Sequence, residues 1–167
     1  MSRKHRRYSL KSKDAKILLS KASEKLKINV GTLVDAKANI EAIETDFGEV
    51  FLINGKPLLF STGEDVFPTL FFMEISVRMP KVVVDMGAIP YVCNGADVMA
   101  PGIVRIEGEF SKGDLVLVVD EKHGKPLALG EILYDSENAK SIKQGVVIRN
   151  IHFVSDKIWN FAKPLAE

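Results

Sequence analysis

Residues 81–102, KVVVDMGAIPYVCNGADVMAPG, decide how the chain reads. Val82–Val84 is a short apolar run that reads as a strand, and Asp85 ends it and is placed to cap the next helix. Residues 87–93 then read as a single short helix, opened by Gly87-Ala88 and followed by Gly95-Ala96. Met99-Ala100-Pro101-Gly102 turns the chain into the next strand. Small residues at both ends of one short helix allow another chain to approach the backbone closely. Spacing alone leaves that neighbour open: a nucleic-acid backbone or a packed strand.

Downstream, short strands recur at 97–100, 103–106, 115–120, 127–134 and 146–153, punctuated by Gly108, Gly113, Gly124 and Gly145. Evenly spaced short strands with glycine turns predict a small closed or nearly closed barrel. Residues 156–161 predict one last helical turn, with Trp159 as a lid on the barrel end. Upstream, Met79-Pro80-Lys81 marks a change of composition, since eight of the twelve glycines lie beyond it. The residue before a proline is driven towards extended geometry. The expected division is therefore 1–79 and 80–167, an α+β unit followed by the barrel.

In the first unit, residues 1–11 show no periodicity and read as a flexible basic arm. Ser12 is expected to cap a helix running to about Lys27. Ala15, Leu18, Leu19, Ala22 and Leu26 share its apolar stripe, while Lys13, Lys16 and Lys27 share another arc. A short second helix is expected over 32–38. Strands are expected at 40–45 and 50–53, then at 58–60 beyond an Asn54-Gly55 turn. A short helix is expected near Pro68. Six of the nine phenylalanines fall between Phe47 and Phe72. They read as core, because a unit this small needs large side chains to fill it.

The chain has 167 residues, 46% hydrophobic and 27% charged, an ordinary globular composition. Its net charge of +1 hides an asymmetry. Residues 1–27 hold ten Lys/Arg against Asp14 and Glu24, while the remainder holds thirteen basic and twenty acidic residues. A polyanion would meet the basic end first. The alternative is a basic segment folded back on an acidic body. Cys93 is the only cysteine, which excludes an intrachain disulfide and a four-cysteine zinc site, and fits a reducing cytosol. No apolar run approaches the roughly 20 residues of a membrane span, and the basic start lacks the apolar stretch of a secretory signal.

Residues 81–102 resemble the signature of the PUA domain, an RNA-binding module. Gly113-Asp114-Leu115-Val116-Leu117-Val118 and Pro126-Leu127-Ala128-Leu129-Gly130 resemble two of its later strands. Phe67-Pro68-Thr69-Leu70, with Val84-Asp85-Met86-Gly87-Ala88 downstream, resembles stand-alone proteins that place a pre-PUA domain before a PUA domain. These are archaeal relatives of the T-cell-malignancy oncoprotein family. The resemblance implies a PUA-type pseudobarrel after an α+β unit. It implies RNA binding at the small ribosomal subunit or on tRNA, in translation initiation, re-initiation or recycling. An initiation-factor-like protein partner is implied for the eukaryotic relatives. It places RNA contacts at Gly87, Ala88, Val92, Gly95, Ala96, Met99, Pro101, Gly102 and Arg149. Phosphate affinity needs clustered cations, so Lys13, Lys16, Lys27 and Lys81 are added as candidate contacts.

Enzyme signatures are missing from the sequence. It holds no G-x-x-x-x-G-K-[ST], G-x-G-x-x-G or H-E-x-x-H motif, nor a pseudouridine synthase catalytic loop. His5, His123 and His152 lie far apart and read as surface or edge residues, and Cys93 reads as a small apolar packer. No cofactor, metal or membrane association is expected. Two other readings are carried: the RNA-recognition subunit of a tRNA-modifying enzyme such as an archaeosine transglycosylase, and a protein-binding adaptor.

Overall fold

The structure, a computed structural model, describes residues 5–167. Its first sheet is an antiparallel meander. β1 (Arg7–Ser9) precedes α1 (Ser12–Leu26), and β2 (Ile40–Thr45), β3 (Gly48–Ile53), β4 (Lys56–Thr62) and β5 (Asp65–Pro68) come after it, paired in the order β1-β2-β3-β4-β5. The β3–β4 turn is Asn54-Gly55, with φ of 51° and 81°. Positive φ at both positions matches the twist of the flanking strands, as expected of this dipeptide. Leu18 and Ala22 bury the apolar stripe of α1, and Ala15, Leu19 and Leu26 pack beside them.

Four local expectations need correction. The basic arm is not free over its described part, because Arg7–Ser9 pairs with Glu41–Ile43; Arg3 and Lys4 lie outside the described residues. Lys11, not Ser12, occupies the N-cap, with no side-chain cap. The expected second helix is a 3-10 turn at Val30–Leu33. The helix placed at Pro68 is displaced: Asp65–Pro68 pairs with β4, and α2 begins at Met73 (Met73–Ser76). Proline is tolerated on an edge strand, which β5 is.

The second sheet contains β6 (Lys81–Val84), β7 (Val98–Met99), β8 (Ile103–Glu107), β9 (Leu115–Asp120), β10 (Pro126–Ile132) and β11 (Val146–Phe153). Between β6 and β7 lie a 3-10 turn at Met86–Ala88 and α3 (Ile89–Val92); α4 (Ser136–Ala139) precedes β11, and α5 (Lys157–Ala166) succeeds it. The strand order is β7-β11-β10-β9-β6-β8, with β6 parallel to β9. The two edge strands, β7 and β8, are joined by Ala100–Gly102 alone. Three residues cannot cross a flat sheet of six strands, so the sheet curls until its edges meet. The fold is α+β with a pseudobarrel, as expected.

Every residue of β9 is buried. Val116 and Val118 point into the pseudobarrel with Val82, Val84 and Ile148, whereas Leu117 and Val119 join Val83 and Leu129 in the other cluster. That cluster also holds Phe51, Phe60, Phe67 and Phe72 from the first sheet. A strand covered on both faces loses the polar alternation of a half-exposed strand. The two sheets therefore share one core, and most of the phenylalanine cluster fills it.

His152 sits at this junction and corrects its reading as an edge residue. It is fully buried; its Nε2 accepts the Leu70 N–H at 3.2 Å and its Nδ1 faces Asp156 Oδ2 at 2.7 Å. Accepting at Nε2 fixes the proton on Nδ1, where it is donated to the carboxylate. Trp159 is not a lid on the barrel end. It stacks on Phe71 at 5.8 Å, with the Lys163 ammonium 4.7 Å over its ring, so α5 ties the second sheet to the first.

Candidate nucleic-acid interface

The stretch that decides the fold also builds an open groove of about 460 Å³ on the second sheet. Gly87, Ala88, Val92, Ala96, Met99, Pro101 and Gly102 all line it, beside Asp85, Tyr91, Asp97 and Val98. Val92 and Val98 form its buried floor, while Tyr91 is 70% exposed and Met99 48%. The wall is fixed locally. Asp85 Oδ1 accepts the Ala88 N–H at 2.9 Å, the cap expected from the sequence. A Cβ on Gly102 would come 3.4 Å from the Ala88 methyl, ordinary contact, so glycine here keeps the groove open more than it relieves a clash.

Gly95 belongs to the turn and not to the groove. Its φ is +93°, and a Cβ there would meet the Phe153 ring at 3.3 Å. It turns the chain and packs inward, so the small residue beside the groove is Ala96 alone of that pair.

Asn150 holds this turn in place, and no sequence signal marked it. Its Nδ2 donates to the carbonyls of Val92 at 3.1 Å and Ala96 at 3.0 Å, while its backbone N–H donates to Asp97 Oδ1 at 2.9 Å. One residue of β11 thus staples both ends of the 92–97 segment. Cys93 packs half-buried against the barrel core, and burial pushes its thiol pKa up, away from nucleophilic duty.

No Lys or Arg lines the groove. Arg149 lies apart, donating to Glu131 Oε2 at 2.6 Å. Lys81 stands at the far end of β6, its Nζ on the Met79 carbonyl at 3.1 Å. Lys27 leaves the lysine arc of α1: it comes just after the helix with φ 56° and pairs with Asp114 at 2.7 Å. Lys13 and Lys16 remain exposed on α1, without an ion partner among the described residues.

Much of the basic segment is folded back on acidic neighbours. Arg7 makes a two-pronged pair with Glu41 at 2.7 and 3.1 Å, Arg6 meets Glu44 at 3.3 Å, and Lys25 lies 3.9 Å from Asp65. The hydrogen bond from Arg7 is the main reason the Glu41 carboxyl titrates below its usual range. Tyr8 is occupied too, with Arg6 4.7 Å over its ring and its hydroxyl 3.2 Å from Glu49 Oε2. Among the described residues no His/Cys/Asp/Glu cluster could hold a metal.

Two family models divide the chain between them. Residues 80–154 match the PUA domain, and residues 6–75 match a domain of unknown function, DUF1947. An uncharacterized protein of Methanocaldococcus jannaschii is 41% identical over 93% of this chain and 96% of its own length. Translation machinery-associated protein 20 of Saccharomyces cerevisiae is 30% identical over 95% of this chain and 93% of its own. The chain belongs to the family that contains translation machinery-associated protein 20 and malignant T-cell-amplified sequence 1. The solved structure of a hypothetical protein from Pyrococcus horikoshii superposes with a TM-score of 0.79 at 33% identity, over 94% of this chain and 99% of that one. The groove thus lies on a PUA domain, a module that binds RNA.

Proposed function

We propose that this family member is a non-catalytic, cytoplasmic RNA-binding protein that acts on the small ribosomal subunit or on tRNA in translation initiation, re-initiation or recycling. The observation that carries the reading is the open groove at Gly87–Gly102 within a PUA domain, in a chain that spans nearly the whole of a translation machinery-associated relative. Lys13 and Lys16 supply phosphate contacts, and the groove supplies shape. The units meet near Pro80, and an initiation-factor-like protein is the partner this role implies. The Phe71–Trp159 stack and the Cys93 environment leave the most conspicuous aromatic and nucleophilic groups engaged in packing, which favours binding over chemistry.

Sedimentation of the protein with purified small subunits, large subunits and tRNA tests this. Retention by small subunits or tRNA at moderate salt, with release at high salt, is the expected result. Association with large subunits alone, or base modification of tRNA by the pure protein, would contradict it.

A further inference from the structure

The second sheet ends on a strand with no outer neighbour. β8 pairs with β6 alone, while β7, the other edge, spans only Val98–Met99 and pairs with β11. The two edges meet at the Ala100–Gly102 corner without a ladder between them. Apart from its pairing with β6, the backbone of Ile103–Glu107 makes no hydrogen bond among the described residues. An edge strand turns alternate N–H and C=O groups outward, where a further strand can pair with them.

Beside this edge lies an open cavity of about 340 Å³. Ile103, Val104 and Ile106 line it from β8, and Ala139 and Ile142 line it from α4 and the segment that follows. Val104 is 47% exposed. Arg105 and Lys140 also belong to the lining, and no carboxylate does. Lys140 is exposed and has no ion partner among the described residues. Arg105 meets Glu107 at 3.0 Å in a pair about half exposed at both ends, which is weak in water and leaves the guanidinium able to donate to a second carboxylate.

The chemistry selects among occupants. Phosphates would suit the two cations, but the other lining side chains are aliphatic, with no aromatic ring on which a base could stack. A second copy of β8, paired antiparallel about Arg105, would set two arginines against each other, a destabilising cross-strand pair. An extended acidic peptide meets all three features: its backbone pairs with the free edge, its apolar side chains enter the cavity, and its carboxylates meet Arg105 and Lys140.

We propose that β8 is a docking edge for a protein partner, which adds an extended segment of alternating apolar and acidic residues as a further strand. Side chains alternate between the two faces of a strand, so one face of the segment fills the cavity and the other carries its charge past the cations. The Ala100–Gly102 corner separates this cavity from the groove: Met99, Pro101 and Gly102 line the groove, and Ala100 and Ile103 line the cavity. The docking edge is therefore independent of RNA binding, and peptide and RNA are expected to bind together.

The probes are a fluorescent octapeptide alternating valine and glutamate, the same peptide with lysine for glutamate, and a version with proline at its two central positions. They are titrated by fluorescence anisotropy against wild type and Arg105→Glu/Lys140→Glu, and amide hydrogen exchange locates the bound site. Wild type is expected to bind the glutamate peptide at least about tenfold more tightly than the lysine peptide. Proline removes N–H donors that the added strand needs, so that version should bind at least about tenfold more weakly. Amides of Ile103–Glu107 should gain protection on adding the glutamate peptide. The double variant should reverse the charge preference, and its melting curve confirms that the protein is folded. Wild type that binds no peptide, or binds the three alike, would overturn the proposal without any variant, as would protection gained only outside β8. Displacement of the glutamate peptide by a short oligouridine RNA, with RNA binding weakened in the double variant, would show that the cations hold phosphate and would overturn it too.

Discussion

The lysine face of α1 and the groove of the second sheet are opposites. The first offers Lys13 and Lys16, both exposed on a helix; the second offers a cavity bordered by carboxylates and no cation. Non-specific affinity comes from charge, and it is salt-dependent because bound phosphates release counterions. Selection comes from shape and hydrogen-bonding edges. A protein that separates the two can tune either one alone. The separation also explains why an acidic pseudobarrel can sit in an RNA-binding chain: its groove need not attract phosphate.

Both surfaces depend on the junction where the sheets share their core, and the largest effect belongs there. His152→Ala leaves a cavity, strands the Leu70 N–H and removes one of the hydrogen bonds to the Asp156 carboxylate. A loss of about 3 kcal/mol is expected in urea unfolding, with both RNA-binding properties falling together. Retention of full stability would show that the sheets hold together without this link. Asn150→Ala should cost less, about 2 kcal/mol, because it removes two side-chain donors from the Val92 and Ala96 carbonyls. It should loosen the groove but spare the salt dependence set by α1, which a titration of the variant would show.

Acid should also act through the junction. Burial raises the Asp156 carboxyl pKa, but the bond from His152 and the N–H groups of Trp159 and Phe153 outweigh it, so its folded pKa lies below the ordinary value. Asp120, bonded first by the His123 N–H and then by those of Lys125 and Lys122, is lowered as well. A depressed folded pKa contributes stability above the unfolded value, near pH 4, and that stability is lost as pH falls through the folded value. Urea midpoints should be level near neutrality and drop below about pH 4, less steeply in His152→Gln. The smallest effect is expected at Lys27–Asp114. That pair is largely exposed on the lysine side, so Lys27→Ala should change stability by less than about 1 kcal/mol. It should leave the salt slope of RNA binding unchanged, since Lys27 is already paired with Asp114.

The sequence showed the groove more clearly than the charges around it. Small residues at Gly87, Ala88, Ala96 and Gly102 are a local signal, and the structure brings them together. Gly95 looked identical to them because a glycine needed for positive φ and a glycine needed for space share one letter. The strand at 115–120 is legible because it is an apolar run between Gly113 and Gly124, and the strand at 146–153 because Val146-Val147-Ile148 follows the turn at Gly145. The helix at Pro68 was misplaced because proline fits a helix start and an edge strand equally well. His152, Asn150 and the Trp159 stack escaped because their partners lie far away in sequence. Lys27 was misread for a related reason: a helical wheel says nothing about a residue in the left-handed conformation just past the helix end.

The division of labour is tested most directly by a salt titration of RNA binding for three proteins: wild type, Lys13→Ala/Lys16→Ala, and Ala96→Leu. Ala96 is the groove probe because it lines the groove and its backbone, unlike that of Gly95, needs no positive φ. Each single-strand phosphate contact contributes a slope of about 0.7 in log K against log salt. The lysine variant should lose up to about 1.4 units of slope and bind all RNAs more weakly in proportion. Ala96→Leu should keep the wild-type slope and lose discrimination between RNAs. A lysine variant with the wild-type slope, or a folded Ala96→Leu protein with undiminished selectivity, would contradict the account.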